Sequence, residues 1–164
     1  MPYAVMNEAL RMYPPVLFVP KCVERDEKLG PYTIPAGTIV DLHTHAVHYN
    51  PKYWGADSLK FRPERWFADP NAAKDHNVVV EMIKKDVPLK SFFSYNRYAF
   101  IPFSEGTRSC LGKRFAEIEI VTVLSMLCQR FTFEFAKEQE ITVSDLGVTI
   151  QSVEQFELKF TKRQ

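Results

Sequence analysis

The residues with the clearest chemical potential lie in a loop at residues 103–112, which contains a cysteine flanked by glycines. An apolar helical pattern follows Cys110, and Arg108 stands two residues before it. A cysteine just ahead of a helix has backbone N–H groups and the positive end of the helix dipole nearby, which suit a thiolate that binds a metal. Gly106 and Gly112 let the backbone come close to a flat ligand, because glycine has no Cβ. Arg108 adds a fixed positive charge suited to a carboxylate.

This loop resembles the cysteine-ligand loop of the cytochrome P450 superfamily, the haem-thiolate monooxygenases. The family's pattern is Phe, two residues, Gly, one residue, Arg, one residue, Cys, one residue, Gly. Every specified position is met here, by Phe103, Gly106, Arg108, Cys110 and Gly112. The resemblance implies haem b as the cofactor, Cys110 as the axial thiolate ligand of its iron, and Phe103 as a neighbour of the sulfur. A glycine-bracketed loop with a purely structural cysteine is the alternative.

Two further motifs occur in the order in which the family has them. Glu8 and Arg11 are three residues apart on a predicted helix, so they share a face and can form a bidentate pair. Taken alone, such a pair is more often a solvated surface contact. Residues 61–66 contain a Pro-Glu-Arg-aromatic motif that includes Arg65. By resemblance, Glu8, Arg11 and Arg65 form a buried charged triad under the haem, which locks the cysteine loop in place.

Other candidate binding residues follow from the same resemblance. Lys21 lies near the position where the family often has a basic partner for a haem propionate, although a solvated lysine is an equal alternative. Residues 16–19 and the turn near residues 152–154 correspond to segments that line the family's substrate pocket. Their apolar side chains would suit a small hydrophobic substrate, and simple core packing is the alternative.

The elements that must position these motifs follow from local patterns. Residues 2–13 predict a helix that the proline pair at 14–15 ends. Residues 113–130 predict a helix that is apolar nearly all round, which indicates burial in a larger body. Strands are predicted at 16–23, 131–135, 148–150 and 156–160, and a hairpin is predicted to pair 32–34 with 38–42 across the turn at 35–37. Residues 43–66 are predicted to be irregular or briefly helical.

These elements predict a fold that is mainly α with small β-sheets, in the α+β class. The resemblance implies that residues 1–164 form the C-terminal, haem-ligand part of the cytochrome P450 fold. Residues 69–96 match the family least, and we expect them to form a variable surface loop.

Composition limits the function further. The chain has 164 residues, of which 46% are hydrophobic and 25% charged, as in one soluble globular domain. A net charge of +1 gives no reason to expect a nucleic-acid partner. Three widely spaced cysteines argue against a disulfide framework, and no cysteine pair has zinc-ligand spacing. His43, His45 and His48 lack the further ligands of a metal site, so they are interpreted as structural or exposed.

The resemblance implies a monooxygenase that inserts one oxygen atom from O2 into an apolar substrate with electrons from an NADPH-dependent reductase. The full-length parent would lie on the cytosolic face of the endoplasmic reticulum membrane, held by an N-terminal anchor; this chain has neither anchor nor signal peptide. The family's oxygen-activating central helix is also not found, so we expect the isolated chain to be inactive. A truncated, non-catalytic fragment that binds haem weakly or not at all is the alternative. The basic residues Lys113 and Arg114 favour docking of the reductase.

Overall fold

The computed structural model describes residues 2–67, 97–138, 142–144 and 149–163. Two longer helices, α1 and α4, frame two short ones. Their bounds are α1 (Pro2–Met12), α2 (Thr44–Tyr49), α3 (Pro51–Trp54) and α4 (Lys113–Arg130). Short 3₁₀ helices occupy Pro63–Trp66 and Arg97–Ala99. The predicted loop at residues 69–96 lies outside the described residues.

The strands form antiparallel pairs and no extended sheet within the described ranges. The pairs are β1 (Phe18–Cys22) with β4 (Ile39–His43), β2 (Glu27–Leu29) with β3 (Tyr32–Ile34), β5 (Phe131–Phe135) with β8 (Leu158–Lys162), and β6 (Val143–Ser144) with β7 (Gln151–Ser152). Helices combined with small sheets confirm the predicted α+β class. The predicted strands at 16–23, 131–135 and 156–160 correspond to β1, β5 and β8.

The predicted hairpin between residues 32–34 and 38–42 is wrong. β3 pairs with β2, through a two-residue loop in which Gly30 has a φ of +59°. A positive φ in this position lets two flanking strands meet, and glycine adopts it without a Cβ clash. The turn at 35–37 does exist, but it leads β4 back to β1, as the hydrogen bond from the Val23 amide to the Thr38 carbonyl shows (2.9 Å). The β2–β3 hairpin therefore lies in the connection between β1 and β4, which pair with each other.

The predicted strand at residues 148–150 is also displaced. Residues 149 and 150 lie outside any strand, and β7 begins at Gln151. Val143 faces Ser152 in the β6–β7 ladder, so the pairing partner of this segment determines where the strand starts. An apolar run alone cannot identify that partner.

The core lies where α1 meets the segment from α3 to the Pro63–Trp66 turn. Its aromatic centre consists of Trp54, Trp66 and Phe100. The Trp66 ring centroid lies 4.6 Å from that of Phe100 and 5.7 Å from that of Trp54. Edge-on and tilted aromatic contacts at these distances are favourable. α1 contributes the buried side chains of Ala4, Met6, Leu10 and Met12. This core fixes the face of α1 that carries Glu8 and Arg11.

Helix α4 has the predicted bounds, whereas its burial in a larger body stays a prediction. None of its residues is buried, and Phe115 and Ile118 are 73% and 54% exposed. A helix that is apolar nearly all round needs packing partners on several sides, and the described part of this chain does not supply them. Of the helices within the described ranges, none combines the length and hydrophobicity needed to cross a membrane.

Candidate functional site

Helix α1 brings Glu8 and Arg11 together as a fully buried pair. Residues three apart on an α-helix are neighbours on one face. Arg11 Nε donates to Glu8 Oε2 at 3.0 Å, and Arg11 Nη2 donates to Glu8 Oε1 at 2.9 Å. Arg11 also lies in the last turn of α1, where the helix dipole favours a positive charge. The pair is therefore bidentate and removed from water, unlike a surface contact.

Residues 62–66 add three more donors to the same carboxylate. Arg65 Nε donates to Glu8 Oε1 at 3.0 Å, and Trp66 Nε1 donates to Glu8 Oε2 at 2.9 Å. The backbone N–H of Arg62 donates to Glu8 Oε1 at 2.8 Å. Glu8 thus accepts two hydrogen bonds from Arg11 and one each from Arg65, Trp66 and the Arg62 amide. The structure brings the three residues of the predicted triad into one cluster.

These donors determine the charge of Glu8. Burial is the largest single influence and by itself raises the pKa of Glu8. The hydrogen bonds from Arg11, the Arg62 amide and Trp66, together with the positive charge of Arg11, outweigh burial and hold the pKa of Glu8 below its ordinary value. Glu8 is therefore a carboxylate at neutral pH and balances one of the two buried guanidinium groups.

The rest of each guanidinium group binds backbone carbonyls. Arg11 donates to the carbonyls of His48 (2.8 Å), Ser58 (2.7 Å) and Lys60 (3.2 Å), so its N–H donors are all used. Arg65 donates to the carbonyls of Trp54, Asp57 and Lys60 at 3.2–3.4 Å. The Arg11 guanidinium carbon also lies 5.1 Å from the centroid of the Trp54 ring, a cation–π distance. The cluster therefore ties α1 to the whole segment from α2 to residue 65.

His48 extends this cluster toward the cysteine loop. Its side chain is fully buried, with Nδ1 3.1 Å from the Arg11 carbonyl oxygen. The backbone N–H of Ile101 donates to His48 Nε2 at 2.9 Å. Of the two outcomes expected for the histidines, His48 is structural and buried, whereas His43 is exposed at the end of β4.

We expect the buried His48 to lower the stability of the protein in weak acid. Burial first, and the charge of Arg11 after it, lower the pKa of His48 from 6.5 to about 4, although the hydrogen bond to the Arg11 carbonyl raises it. The native state therefore binds fewer protons than the unfolded chain in this window. Stability that is complete above pH 6.5 is lost progressively as the pH falls toward 4. A shift of this size is worth about 3 kcal/mol.

Urea titrations of the wild type and of His48→Gln between about pH 7 and pH 4 measure this contribution. The variant has no imidazole to protonate, so its free energy of unfolding should fall less over the same interval. Equal losses in the two proteins would assign the acid sensitivity to other groups.

The cysteine loop is fixed by backbone hydrogen bonds just before α4. The Cys110 amide donates to the Phe103 carbonyl at 2.9 Å, and the Ser109 amide donates to the Gly106 carbonyl at 3.2 Å. Gly106 has a φ of +90°, a left-handed conformation in which a side chain would be strained. Cys110 is exposed and forms no disulfide. The loop therefore presents one free sulfur on a backbone of defined shape.

The donor set at Cys110 suits a metal that obtains its other ligands elsewhere. In the described ranges, no group of three or more His, Cys, Asp and Glu side chains is arranged to hold a metal ion. A zinc site built from protein ligands therefore does not fit here. An iron held in a porphyrin needs one axial protein ligand, and a single exposed sulfur can provide it. Space is also open at Gly106, where an added Cβ would meet nothing within 4 Å.

Of the other predicted binding residues, Arg108 and Gly112 lie in the cysteine loop, and Lys21 lies on a separate element. Arg108 is exposed in the loop, two residues before Cys110. Lys21 is half-buried in β1, opposite Val40 of β4. Gly112 directly precedes α4, and a Cβ added there would lie 3.9 Å from the Cys110 sulfur, an ordinary contact distance. A side chain with a Cβ would therefore fit at position 112 without a clash against the Cys110 sulfur.

Two contacts of the site have little or no signal in the sequence. The motif at residues 61–66 predicts an aromatic residue at its end, but it does not predict that Trp66 donates a hydrogen bond to Glu8. The available signal was that an indole N–H usually finds an acceptor when it is buried. His48 gave no such signal, because only the fold shows that its ring lies between Arg11 and Ile101.

Comparison with known proteins identifies the family. The family model for Cytochrome P450 matches residues 1–160. Secologanin synthase 2 of Catharanthus roseus is 40% identical over 134 residues, which cover 80% of this chain and 21% of that protein. Putative cytochrome P450 CYP13A5 of Caenorhabditis elegans is 32% identical over 161 residues, which cover 97% of this chain and 27% of that protein. The chain thus spans about a fifth to a quarter of the length of these relatives.

A solved structure agrees with the sequence relatives on the fold. The heme domain of cytochrome P450DA superposes with a TM-score of 0.75 at 24% identity. The match covers 99% of this chain and 31% of that one, so the described elements occur together within a larger fold of the same kind. On the family match over residues 1–160 and the identity to these relatives, the chain belongs to the cytochrome P450 family.

Proposed function

We propose that this chain supplies the proximal, haem-ligand half of a monooxygenase active site, with Cys110 as the thiolate ligand of the haem iron. Membership of the cytochrome P450 family implies haem bound through a cysteine thiolate. Of the three cysteines, Cys110 alone lies in a glycine-containing loop ahead of a helix; Cys22 ends β1 and Cys128 lies near the end of α4. The observation that carries the proposal is the exposed sulfur of Cys110 on a loop whose backbone Phe103 fixes.

Each residue of the loop has a role that its chemistry supports. Phe103 accepts the hydrogen bond of the Cys110 amide and so orients the residue that carries the sulfur. Gly106 adopts the φ of +90° that the loop needs, and the space beside it is open. Arg108 is an exposed cation suited to a propionate carboxylate of haem. Lys21 would provide a second such cation, and a solvated lysine is the alternative for that position.

Haem bound to Cys110 supplies the redox chemistry by which one oxygen atom of O2 enters an apolar organic substrate. The residues of this chain hold the cofactor and set the position of its ligand. Glu8, Arg11 and Arg65 have a structural role. They hold α1 against residues 48–65, beside the segment that leads into the loop. The proton-transfer groups of the reaction would come from residues outside this chain.

The electron donor we propose is an NADPH-dependent reductase. Lys113 and Arg114 are exposed at the start of α4, three and four residues beyond Cys110, so an acidic partner docked there would lie close to the sulfur ligand. For the full-length protein we propose the cytosolic face of the endoplasmic reticulum membrane. A plastid is the other location, since the related LUTEIN DEFICIENT 5 protein of Arabidopsis thaliana is named as chloroplastic.

A second candidate is a non-catalytic fragment that binds haem weakly or not at all. The exposure of apolar side chains around the loop favours it. Leu111 is fully exposed next to Cys110, and Phe115 is 73% exposed one turn into α4. A haem at Cys110 would then face water over much of its surface, which weakens the hydrophobic part of its binding.

Haem titration separates the two candidates. We expect the full-length protein that carries this chain to bind one haem and, when reduced under carbon monoxide, to show the red-shifted Soret band of a thiolate adduct. The 164-residue chain should be titrated in parallel. A full-length protein without that band would remove the monooxygenase proposal. Stoichiometric, tight binding by the 164-residue chain would remove the fragment proposal.

A further inference from the structure

The ring of His48 connects α1 to the segment that leads into the cysteine loop. Ile101 donates its backbone N–H to His48 Nε2 at 2.9 Å. A backbone N–H can only donate, so Nε2 has no proton and the neutral ring carries its hydrogen on Nδ1. Nδ1 therefore donates to the Arg11 carbonyl at 3.1 Å. Both ring nitrogens are used, and both partners are backbone groups.

On the side of α1, two reciprocal hydrogen bonds connect His48 and Arg11. The His48 ring binds the carbonyl of Arg11, and the Arg11 guanidinium binds the carbonyl of His48 at 2.8 Å. Arg11 is itself held by Glu8 through two hydrogen bonds. A movement of the buried Glu8–Arg11 pair therefore moves the His48 ring, because the hydrogen bonds that join them are short and direct.

On the side of the loop, Ile101 leads to Cys110 in a few steps. The Ile101 carbonyl accepts from the Ser104 amide at 3.0 Å, which closes a turn. Pro102 restricts the backbone within that turn. Phe103, the next residue, accepts the hydrogen bond of the Cys110 amide at 2.9 Å. The position of the Ile101 amide therefore restricts the position of the Cys110 backbone, because the segment between them is stiff and hydrogen-bonded.

Packing confines the ring between these partners. Phe100 stacks on His48 with ring centroids 5.3 Å apart and an interplanar angle of 29°. Phe100 also contacts Trp66, which donates to Glu8. His48 has no exposed surface, so water cannot replace either hydrogen bond without a change in packing.

We propose that His48 is the positioning residue through which the Glu8–Arg11 pair sets the place of the Cys110 loop. His48 hydrogen-bonds directly both to the Arg11 carbonyl of the salt-bridge cluster and to the backbone N–H of Ile101. The inference rests on the proposed function where it treats Cys110 as the iron ligand. The link from α1 to the loop backbone stands on the contacts alone.

Two variants separate the halves of the link. In His48→Gln, the amide oxygen stands the same number of bonds from Cα as Nε2, so it can accept from Ile101. In His48→Asn, the shorter side chain can still donate to Arg11 from the place of Nδ1 but cannot reach Ile101. Amide hydrogen exchange by NMR, without haem, should show Ile101 and Cys110 exchanging about tenfold faster in the Asn variant than in the Gln variant.

Tyr49→Phe is the matched control. Tyr49 also ties α2 to the end of α1, through its hydroxyl and the Met12 carbonyl at 2.7 Å, but the hydroxyl does not bond to Ile101. We expect this variant to leave Ile101 and Cys110 as protected as in the wild type. Equal protection of the Cys110 amide in the Asn and Gln variants would overturn the proposal, as would a loss of that protection in Tyr49→Phe.

Two further measurements keep the test decisive. If His48→Asn does not fold, exchange in the wild type under mild denaturant takes its place: Ile101 and Cys110 must open with the same free energy, and separate openings would refute the link. In the haem-loaded, full-length protein, the Asn variant should lose more of the thiolate-type band than the Gln variant. A wild type without that band refutes the haem-ligand proposal, while the exchange data still decide the role of His48.

Discussion

Replacing Cys110 with alanine in the full-length protein abolishes the red-shifted Soret band of the reduced, carbon monoxide-bound form. That band would require a thiolate ligand to the haem iron, and the alanine side chain has no sulfur to provide one. The backbone of the loop should survive, because its fixing hydrogen bond runs from the amide of residue 110 to the Phe103 carbonyl and does not use the sulfur. The measurement is a reduced carbon monoxide difference spectrum at equal protein concentration.

Cys22→Ala and Cys128→Ala are the matched controls for that experiment. Both residues are free and exposed, as Cys110 is, but one ends β1 and the other lies within α4. Each control should retain the full band. If Cys110→Ala keeps a thiolate-type spectrum, another cysteine is the ligand and the assignment fails. A uniform loss in all three variants would indicate general damage, and circular dichroism at 222 nm would reveal it.

Local patterns predicted those parts of the structure that depend on neighbours in the sequence. The bounds of α4 agree because helix propensity and periodicity act within a few turns. Glu8 and Arg11 face each other because helix geometry alone places them so. The approach of Arg65 required the family resemblance, since 57 residues separate it from Glu8 and no local rule connects them.

Pairing and burial both depend on distant residues, and pairing accounts for the errors in the strands. The turn at residues 35–37 was recognised, but the sequence near it does not reveal that β1 is the partner of β4. The apolar composition of α4 predicted burial, yet burial also depends on which elements are present to cover the helix. The two nitrogens of the His48 ring bind residues 37 positions before it and 53 positions after it, Arg11 and Ile101.

Glu8 is a buried carboxylate that accepts five hydrogen bonds, and Glu8→Gln should lower the free energy of unfolding by about 3–5 kcal/mol. Glutamine keeps the size of the side chain but loses the negative charge. Arg11 and Arg65 then remain buried as cations whose charge-assisted bonds to a carboxylate are gone. Glutamine also replaces one acceptor oxygen of the carboxylate by an N–H₂ group, which cannot accept a hydrogen bond from the surrounding N–H donors. Urea unfolding near neutral pH, followed by circular dichroism, measures the loss.

Glu27→Gln is the control that isolates burial as the cause. Glu27 pairs with Arg25 at 2.8 Å, as close as the Glu8–Arg11 contact at 2.9 Å, but both partners are exposed. Water screens an exposed pair and solvates either partner when the other is lost, so this substitution should leave stability unchanged within error. If Glu8→Gln had an effect as small as Glu27→Gln, the cluster would not hold α1 in place. Glu8 would then not fix the position of Arg11 and, through it, of His48. The position of the Cys110 loop would depend on contacts outside this cluster.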